Sequence, residues 1–289
     1  DDPPAPKTRQ DKAALWAARS LPFDLQRLLA VAHRHVTKAA STFRSRQSGS
    51  NPAWDEECVR LSDSFRWTAE WFEGQAKHVP IESHTDAWFV EHILAQPSQF
   101  CREQSAVWFA RRKRVSDVSS NVLQREIEVA YEQLAARFDV EFDVFERKQY
   151  SNLSHEPNKA MNLNSFLALM GKRVRPVRRT DGLHLVETDH RRSRLIPDTP
   201  YIITLDADSL LQPHYASTLV DLMEKPQHAR VAVAQTPYSA FPNAPGALER
   251  AAGATTDIQY LVHQGFTRYG STFWVGANAL LRKSALEDI

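Results

Sequence analysis

The sequence predicts an α/β fold with a largely parallel sheet, preceded by a helical region. Two observations lead to this prediction. Apolar residues recur at helical spacing through most of residues 11–78. From about residue 79 onward, short apolar segments alternate with amphipathic helical segments, a pattern typical of parallel sheets covered by helices. We therefore expect a helical N-terminal region over residues 1–78 and an α/β domain over residues 79–289.

The composition is that of an ordinary globular protein. Of the 289 residues, 42% are hydrophobic and 25% are charged, and the net charge is +1. This charge balance does not indicate a nucleic-acid partner. Cys58 and Cys101 lack the spacing of a disulfide framework or a zinc site, so we expect a reducing compartment. No apolar run in the sequence reaches the length of a membrane span.

The first half of the chain is predicted to be mainly helical. Residues 1–10 are rich in proline and charge and are expected to be a disordered lead-in. Residues 11–43 predict a pair of helices with a break at Leu21-Pro22, because proline has no N–H to donate within a helix. Residues 53–78 predict a further helix with an apolar and aromatic stripe.

The middle of the chain mixes both kinds of pattern. Residues 79–86 predict a short strand that runs into a polar loop, followed by a helix through Trp88. Asp117-Val118-Ser119-Ser120 is a helix-start signal, and residues 140–147 alternate as a half-buried strand does. The elements expected after these are a helix over 158–170, a hairpin with an Asp181-Gly182 turn, a basic loop over 191–199, a strand from Pro200, a helix through Leu219 and Met223, a strand over 229–234, a long helix over 246–269 and a strand over 273–281.

The strand from Pro200 ends in two carboxylates, those of Asp206 and Asp208. Residues i and i+2 of a strand point to the same side, so both side chains can meet one ligand. Carboxylates this close repel each other unless a cation or donor lies between them, and Mg²⁺ or Mn²⁺ carrying a diphosphate would satisfy both. Helix capping by Asp208 and Ser209 is the alternative. These residues alone leave both interpretations open.

Three further segments flank this diacid strand in a definite order. Asn158–Asn164 precedes it, and Gln235–Asn243 and then Phe273–Leu286 follow it. In that order they resemble family 2 glycosyltransferases, especially the cellulose-synthase-like processive enzymes, over about residues 140–289. The resemblance implies a GT-A, Rossmann-like fold. It also implies inverting, metal-dependent transfer of a sugar from a nucleotide-diphosphate donor, such as a UDP-sugar, to a growing polysaccharide or glycan.

The resemblance also implies roles for individual residues. Asp206 would face the sugar or ribose, and Asp208 would bind the metal that bridges the diphosphate. A lysine meets phosphate as a point charge, which suits Lys159 beside the donor. The remaining implied contacts are Asn162 near the donor, Asp86 and Asp117 near the base or ribose, and Gln235, Thr236, Pro237, Gly276 and Asn278 on the sugar and acceptor side.

The resemblance places further parts outside this sequence. The catalytic base would lie beyond Ile289, which makes this a truncated domain, and the full protein would carry membrane segments or subunits at the cytoplasmic face of the plasma membrane. Two rival interpretations stay open. A sugar-phosphate nucleotidyltransferase has a related architecture, but the glycine-rich phosphate loop expected after its first strand is not seen in the sequence. A catalytically incomplete scaffold or partner-binding domain could keep the same fold.

Overall fold

The computed structural model describes residues 7–47, 53–206, 209–237, 239–276 and 278–287. The helices are α1 (Arg9–Gln47), α2 (Trp54–Ala76), α3 (His84–Phe89), α4 (Gln96–Arg111), α5 (Ser120–Ala136), α6 (Lys159–Leu167), α7 (Tyr215–Glu224), α8 (Ala247–Arg268) and α9 (Lys283–Glu287). The strands are β1 (Arg173–Arg179), β2 (Gly182–Glu187), β3 (Arg194–Leu195), β4 (Tyr201–Thr204), β5 (Val233–Gln235) and β6 (Ala279–Arg282). A π-helix, Val90–Ala95, joins α3 to α4, and short 3₁₀ segments occupy Arg112–Asp117, Arg147–Gln149 and Pro226–His228.

The chain divides into two compact units. The first contains residues up to His35 together with Ala135–Thr199, and the second contains Val36–Leu134 and the residues from Pro200 onward. The division at residue 78, made from the sequence, stays a prediction.

Helix α1 continues through Pro22, where the sequence predicted a break. Pro22 cannot donate to the carbonyl of Ala18. Ala18 is exposed, so water can replace the missing donor at little cost. Close by, the Ser20 hydroxyl donates to the Ala17 carbonyl at 3.0 Å. The predicted helix pair is therefore wrong, because the proline lies where the lost hydrogen bond faces solvent.

Helix α2, predicted over 53–78, packs along α4 in the second unit. The Ser62 hydroxyl donates to the Ser105 carbonyl at 2.8 Å, and the Ser98 hydroxyl donates to the Ala69 carbonyl at 3.0 Å. The small serines allow this close approach and satisfy their own polar groups. The large buried side chains of this helical part include Phe43, Leu61, Leu123, Ile127, Tyr131 and Leu134.

The strand predicted over 79–86 is not formed. Residues 77–83 are turn and loop, and Ile81 is 60% exposed. Ser83 caps α3 through a capping box in which its side chain accepts from the Asp86 N–H, while Asp86 accepts from the Ser83 N–H. This reciprocal pair satisfies two backbone donors locally, so the segment starts a helix instead of extending.

Residues 140–147, predicted as a strand, lie outside both sheets. The backbone here is bonded by a side chain: Gln26 Nε2 donates to the Val140 carbonyl at 2.9 Å, and the Phe142 N–H donates to Gln26 Oε1 at 2.8 Å. The side-chain amide of Gln26 thus forms the hydrogen bonds that a neighbouring strand would otherwise provide. The prediction was wrong because that partner is 114 residues away in sequence.

The sheet of the first unit has the strand order β2-β1-β3, and both pairs are antiparallel. The predicted hairpin is confirmed, with Arg179 opposite Gly182, whose φ of +139° favours glycine. Val174, Leu185 and Ile196 form the core of this sheet. The segment predicted as a basic loop over 191–199 contributes β3, whose pairing with β1 is only two residues long.

The sheet of the second unit has the order β4-β6-β5. Strand β6 is antiparallel to both neighbours, so β4 and β5 run in the same direction without touching. The predicted parallel sheet is therefore wrong: every strand pair among the described residues is antiparallel, because β6 returns between β4 and β5. Strands β5 and β6 also begin later than predicted, at Val233 and Ala279. Leu219 and Met223 of α7 pack on Leu280.

Among the described residues, every helix is too short or too polar to cross a membrane.

Candidate functional site

One edge of the β4-β6-β5 sheet gathers most of the predicted site residues of the second unit. Thr204 at the end of β4 and Gln235 at the end of β5 both pair with Ala279, the first residue of β6. Asp206 and Thr236 therefore leave the sheet where the chain of Asn278 enters it. The structure brings Asp206 close to Gln235, Thr236 and Asn278, which were predicted for the sugar and acceptor side.

Hydrogen bonds fix the two segments that approach this edge from β5 and β6. The Thr236 N–H donates to the Asn278 carbonyl at 3.3 Å, which extends the β5–β6 pairing by one bond. The Val275 N–H donates to Gln235 Oε1 at 3.0 Å. The hydroxyls of Tyr215 and Thr236 lie 3.1 Å apart. Gln235 and Thr236 thus hold the segment before β6, while Pro237 follows them exposed to solvent.

The approach to β6 has an unusual backbone. Gly276 has a φ of +103° and Asn278 a φ of +51°. Glycine and asparagine are the residues that best tolerate this left-handed region. Asn278 is only 8% exposed, and its Oδ1 has no hydrogen-bond partner; the same is true of Oγ1 of the buried Thr204. Buried polar atoms without partners are rare in folded proteins, and they mark this edge as a place where a ligand could supply the missing bonds.

Of the two aspartates of the diacid, Asp206 alone is among the described residues. Asp206 is exposed, and its carbonyl accepts from the Ser209 N–H at 3.1 Å. Asp208 lies outside the described residues. Among the described residues, no group of three or more His, Cys, Asp or Glu side chains is arranged to hold a metal ion. The predicted Mg²⁺ or Mn²⁺ ligation by Asp206 and Asp208 therefore stays a prediction.

A cavity of about 770 Å³ adjoins Gln235, Thr236 and Pro237. Strand β5 and α7 form one wall through apolar side chains, and α8 forms another through Tyr260 and His263. Phe273 and Trp274, before β6, complete it. Aromatic rings with a few amides and hydroxyls are typical of small-molecule sites. The signal that could have revealed this wall is the polar and aromatic face of α8 at residues 256, 260, 263 and 267.

Lys159 and Asn162 lie on α6 of the first unit. Asn158 caps this helix by accepting the Met161 N–H at 2.8 Å. Both Lys159 and Asn162 are half-buried, and Oδ1 of Asn162 has no hydrogen-bond partner. Since α6 and the β4-β6-β5 sheet belong to different units, a joint donor site of Lys159 with Asp206 stays a prediction.

Asp86 and Asp117, which the resemblance implied as contacts of the base or ribose, both lie in helical segments. Asp86 Oδ2 accepts from the Ser83 hydroxyl at 2.8 Å and from the N–H groups of Ser83 and Glu82 at 2.8 and 3.1 Å. These donors, the Ser83 hydroxyl above all, lower the pKa of Asp86. Asp117 is exposed at the end of a 3₁₀ segment. Their predicted contacts with base or ribose are untested, but the structure gives Asp86 a capping role.

Helix α3 nevertheless lies beside the loop that follows β5. The ring of Trp88 meets that of Phe241 edge-on, with centroids 5.6 Å apart, and His84 meets the same ring at 6.4 Å. Phe241 is six residues beyond Gln235 in the chain. The loop predicted for the acceptor side is thus anchored on the helical part of the second unit.

Comparison with protein families gives one finding that bears on this site. Residues 201–289 match the family model described as "Glycosyl transferase family group 2". This segment is similar to that glycosyltransferase family. The matched residues are 89 of the 289 in the chain, and they include β4, the diacid, β5, α8 and β6. Neither the curated proteins nor the solved structures gave a match to the chain.

Proposed function

We propose that this chain is the donor-binding part of a family 2 glycosyltransferase of GT-A fold, of the cellulose-synthase-like, polysaccharide-forming kind. The observation that carries the proposal is the coincidence of two independent findings over residues 201–289. The family match covers this segment. Within it, the fold gathers Asp206, Gln235, Thr236, Gly276 and Asn278 at one sheet edge.

The proposed roles follow from charge and hydrogen-bonding capacity. Asp206 is an acceptor for sugar or ribose hydroxyls, and Asp208 provides the hard oxygen ligand that Mg²⁺ or Mn²⁺ prefers. The metal would neutralise charge on the departing nucleoside diphosphate. Lys159 and Asn162 would add a cation and an amide on the donor side. A carboxylate that deprotonates the acceptor is also required, and its location beyond Ile289 stays a prediction.

The cavity beside Gln235, Thr236 and Pro237 supports a sugar or glycan ligand. Sugar rings offer apolar C–H faces and many hydroxyls, and the cavity offers aromatic faces with amides: Tyr260, Phe273 and Trp274, with Gln259 and Gln264. We assign the cavity to the sugar and acceptor side of the site.

Calorimetry tests donor binding directly. The chain would be titrated with UDP-glucose, UDP-N-acetylglucosamine and the matching GDP-sugars, each with and without Mn²⁺. We expect binding of one nucleotide class, dependent on Mn²⁺, and at least tenfold weaker binding in Asp208→Asn. Asp221→Asn is the matched control, because Asp221 is 75% exposed on α7 and pairs only with the local Lys225 among described contacts.

Each outcome has one meaning. Unchanged affinity in Asp208→Asn would overturn the metal role, and equal weakening in Asp221→Asn would show a general loss of structure. Failure to bind any nucleotide sugar would overturn the proposed function in favour of a scaffold. Release of pyrophosphate from UTP and a sugar 1-phosphate would assign the chain to the nucleotidyltransferases.

For the full protein we propose a place at the cytoplasmic face of the plasma membrane.

A further inference from the structure

The solvent-facing side of α1 carries large apolar residues that the first unit leaves uncovered. Five of them lie between residues 16 and 31, with exposures of 39% to 72%. They are Trp16, Leu21, Phe23, Leu28 and Val31. We call these five residues the α1 outer face. Single exposed apolar residues are ordinary, but five within sixteen positions of one helix call for an explanation.

The five side chains share one side of the helix. At about 100° per residue, Trp16, Phe23 and Val31 fall within an arc of about 80°, and Leu21 and Leu28 widen it to about 160°. The contacts with the fold come from the remaining arc of α1, which borders the apolar arc on both sides. Gln26 bonds residues 140 and 142, Arg19 forms an ion pair with Glu146, and Ala32 is fully buried. The α1 outer face therefore covers the part of the helix that these contacts leave exposed.

The same helix concentrates the positive charge of the chain. Residues 9–47 contain eight Lys or Arg and two Asp, a net charge of +6. Since the whole chain carries +1, the remaining residues carry −5, and Glu146, Glu132 and Glu57 among them pair with Arg19, Arg44 and Arg46. Lys12, Arg27 and Lys38 lie within about 40° of Trp16 on the helical wheel and are exposed. The acidic Asp24 lies inside the apolar arc and is ion-paired with Arg27.

We propose that the α1 outer face docks on an anionic lipid surface, with the helix lying in the plane of the headgroups. Trp and Phe rings are suited to this interface, and Lys and Arg bury their stems while their charges meet lipid phosphates. A second copy is a poor fit, because it would bring the exposed Lys12 and Lys38 of two helices together. The same two cations favour a negatively charged surface. The proposal does not depend on the glycosyltransferase function.

Vesicle sedimentation tests the proposal with the whole chain. We expect the protein to sediment with vesicles of 70% phosphatidylcholine and 30% phosphatidylserine, and to bind pure phosphatidylcholine vesicles much more weakly. The double variant Trp16→Glu/Phe23→Glu should lower the partition coefficient at least tenfold. The control Ile258→Glu/Leu261→Glu places the same charges on two apolar residues of α8, each 63% exposed, and should leave it unchanged.

A labelled cysteine gives a second measurement that does not depend on apolar substitutions. Cys58 and Cys101 are fully buried, so an added surface cysteine can be labelled selectively. An environment-sensitive dye on Ala13→Cys should shift to the blue with anionic vesicles, whereas the dye on Ala251→Cys of α8 should not. Equal shifts at both sites, or no vesicle binding, would overturn the proposal. Self-association that Trp16→Glu/Phe23→Glu abolishes would assign the face to a second copy instead and would equally overturn it.

Discussion

Helices α2 and α8 have nearly the same length, 23 and 22 residues, but the fold uses them differently. Helix α2 buries eight residues, whereas the buried residue of α8 is Gly253. One face of α8 lines the cavity and another exposes Ile258 and Leu261. Helix α2 therefore contributes to the core, whereas α8, which lies in the segment matched to glycosyltransferases, contributes to a cavity wall and to the surface.

Buried polar groups show the same contrast. Glu57 of α2 is 2% exposed, and its carboxylate accepts three hydrogen bonds, two from Arg46 at 2.5 and 2.6 Å and one from Arg60 at 2.8 Å. At the sheet edge, buried oxygens of Thr204 and Asn278 accept none. The carboxylate of Glu57 is thus satisfied within the fold, whereas the oxygens of Thr204 and Asn278 keep their capacity to accept a hydrogen bond.

The largest expected effect sharpens the contrast between the two helices through a matched pair of leucines. Leu61 of α2 is fully buried and Leu261 of α8 is 63% exposed. Leu61→Ala should lower the free energy of unfolding by about 2–5 kcal/mol, because it removes buried methyl groups and leaves a cavity. Leu261→Ala should change it by less than about 0.5 kcal/mol. Urea denaturation followed by circular dichroism measures both.

The comparison would fail if the two leucine variants were equally destabilised. That result would mean that α8 is covered in solution and does not expose this side chain. Circular dichroism before denaturation should show unchanged helix content for both variants, which excludes a loss of the starting structure as the cause.

A second prediction tests whether water is excluded from the buried side of α2. Burial raises the pKa of the Cys58 thiol to about 11. The folded protein therefore keeps its proton at pH values where the unfolded chain, with an ordinary pKa near 9, has lost it. The protonated Cys58 thiol makes its full contribution to the free energy of unfolding below about pH 9. This contribution falls by about 2–3 kcal/mol in all as the pH rises toward 11.

Cys58→Ala isolates this effect. The urea midpoint of the wild type should fall more steeply between pH 9 and 10.5 than that of the variant, and their difference should be constant between pH 7 and 8. Tyr131, whose pKa burial also raises, contributes to both proteins and cancels in the comparison. Parallel profiles over the whole range would show that water reaches the thiol.

The sequence predicted what depends on local pattern. The apolar stripe of 53–78 predicted α2, and the Asp181-Gly182 signal predicted the β1–β2 hairpin. It failed where a distant group decided the outcome. Residues 140–147 alternate as a strand does, yet their backbone partner is the side chain of Gln26. Similarly, no local pattern near β4 or β5 could show that β6 returns between them.

The candidate site followed the same rule. Gln235, Thr236, Gly276 and Asn278 were predicted together and do meet at one edge, because each adjoins a strand end whose pairing brings it there. Thr204 was not singled out, since nothing in the sequence distinguishes a buried threonine without a hydrogen-bond partner from one with a partner. Tyr260 and His263 were not predicted as site residues, because the sequence pattern of α8 is that of an ordinary amphipathic helix.

The smallest expected effect concerns how α8 is held, and it uses glycines of both helices. A Cβ added to Gly265 of α8 or Gly74 of α2 meets nothing within 4 Å, but one added to Gly253 comes within 2.9 Å of Ala240 Cβ in the loop after β5. Gly265→Ala and Gly74→Ala should each stabilise by about 0.5–1 kcal/mol, the helix preference for alanine. Gly253→Ala should lose that gain to the contact, and adding Ala240→Gly should restore it. Full stabilisation by Gly253→Ala alone would show that α8 is not packed on this loop. Restoration only in the double variant would show that the loop contacts α8 at Gly253.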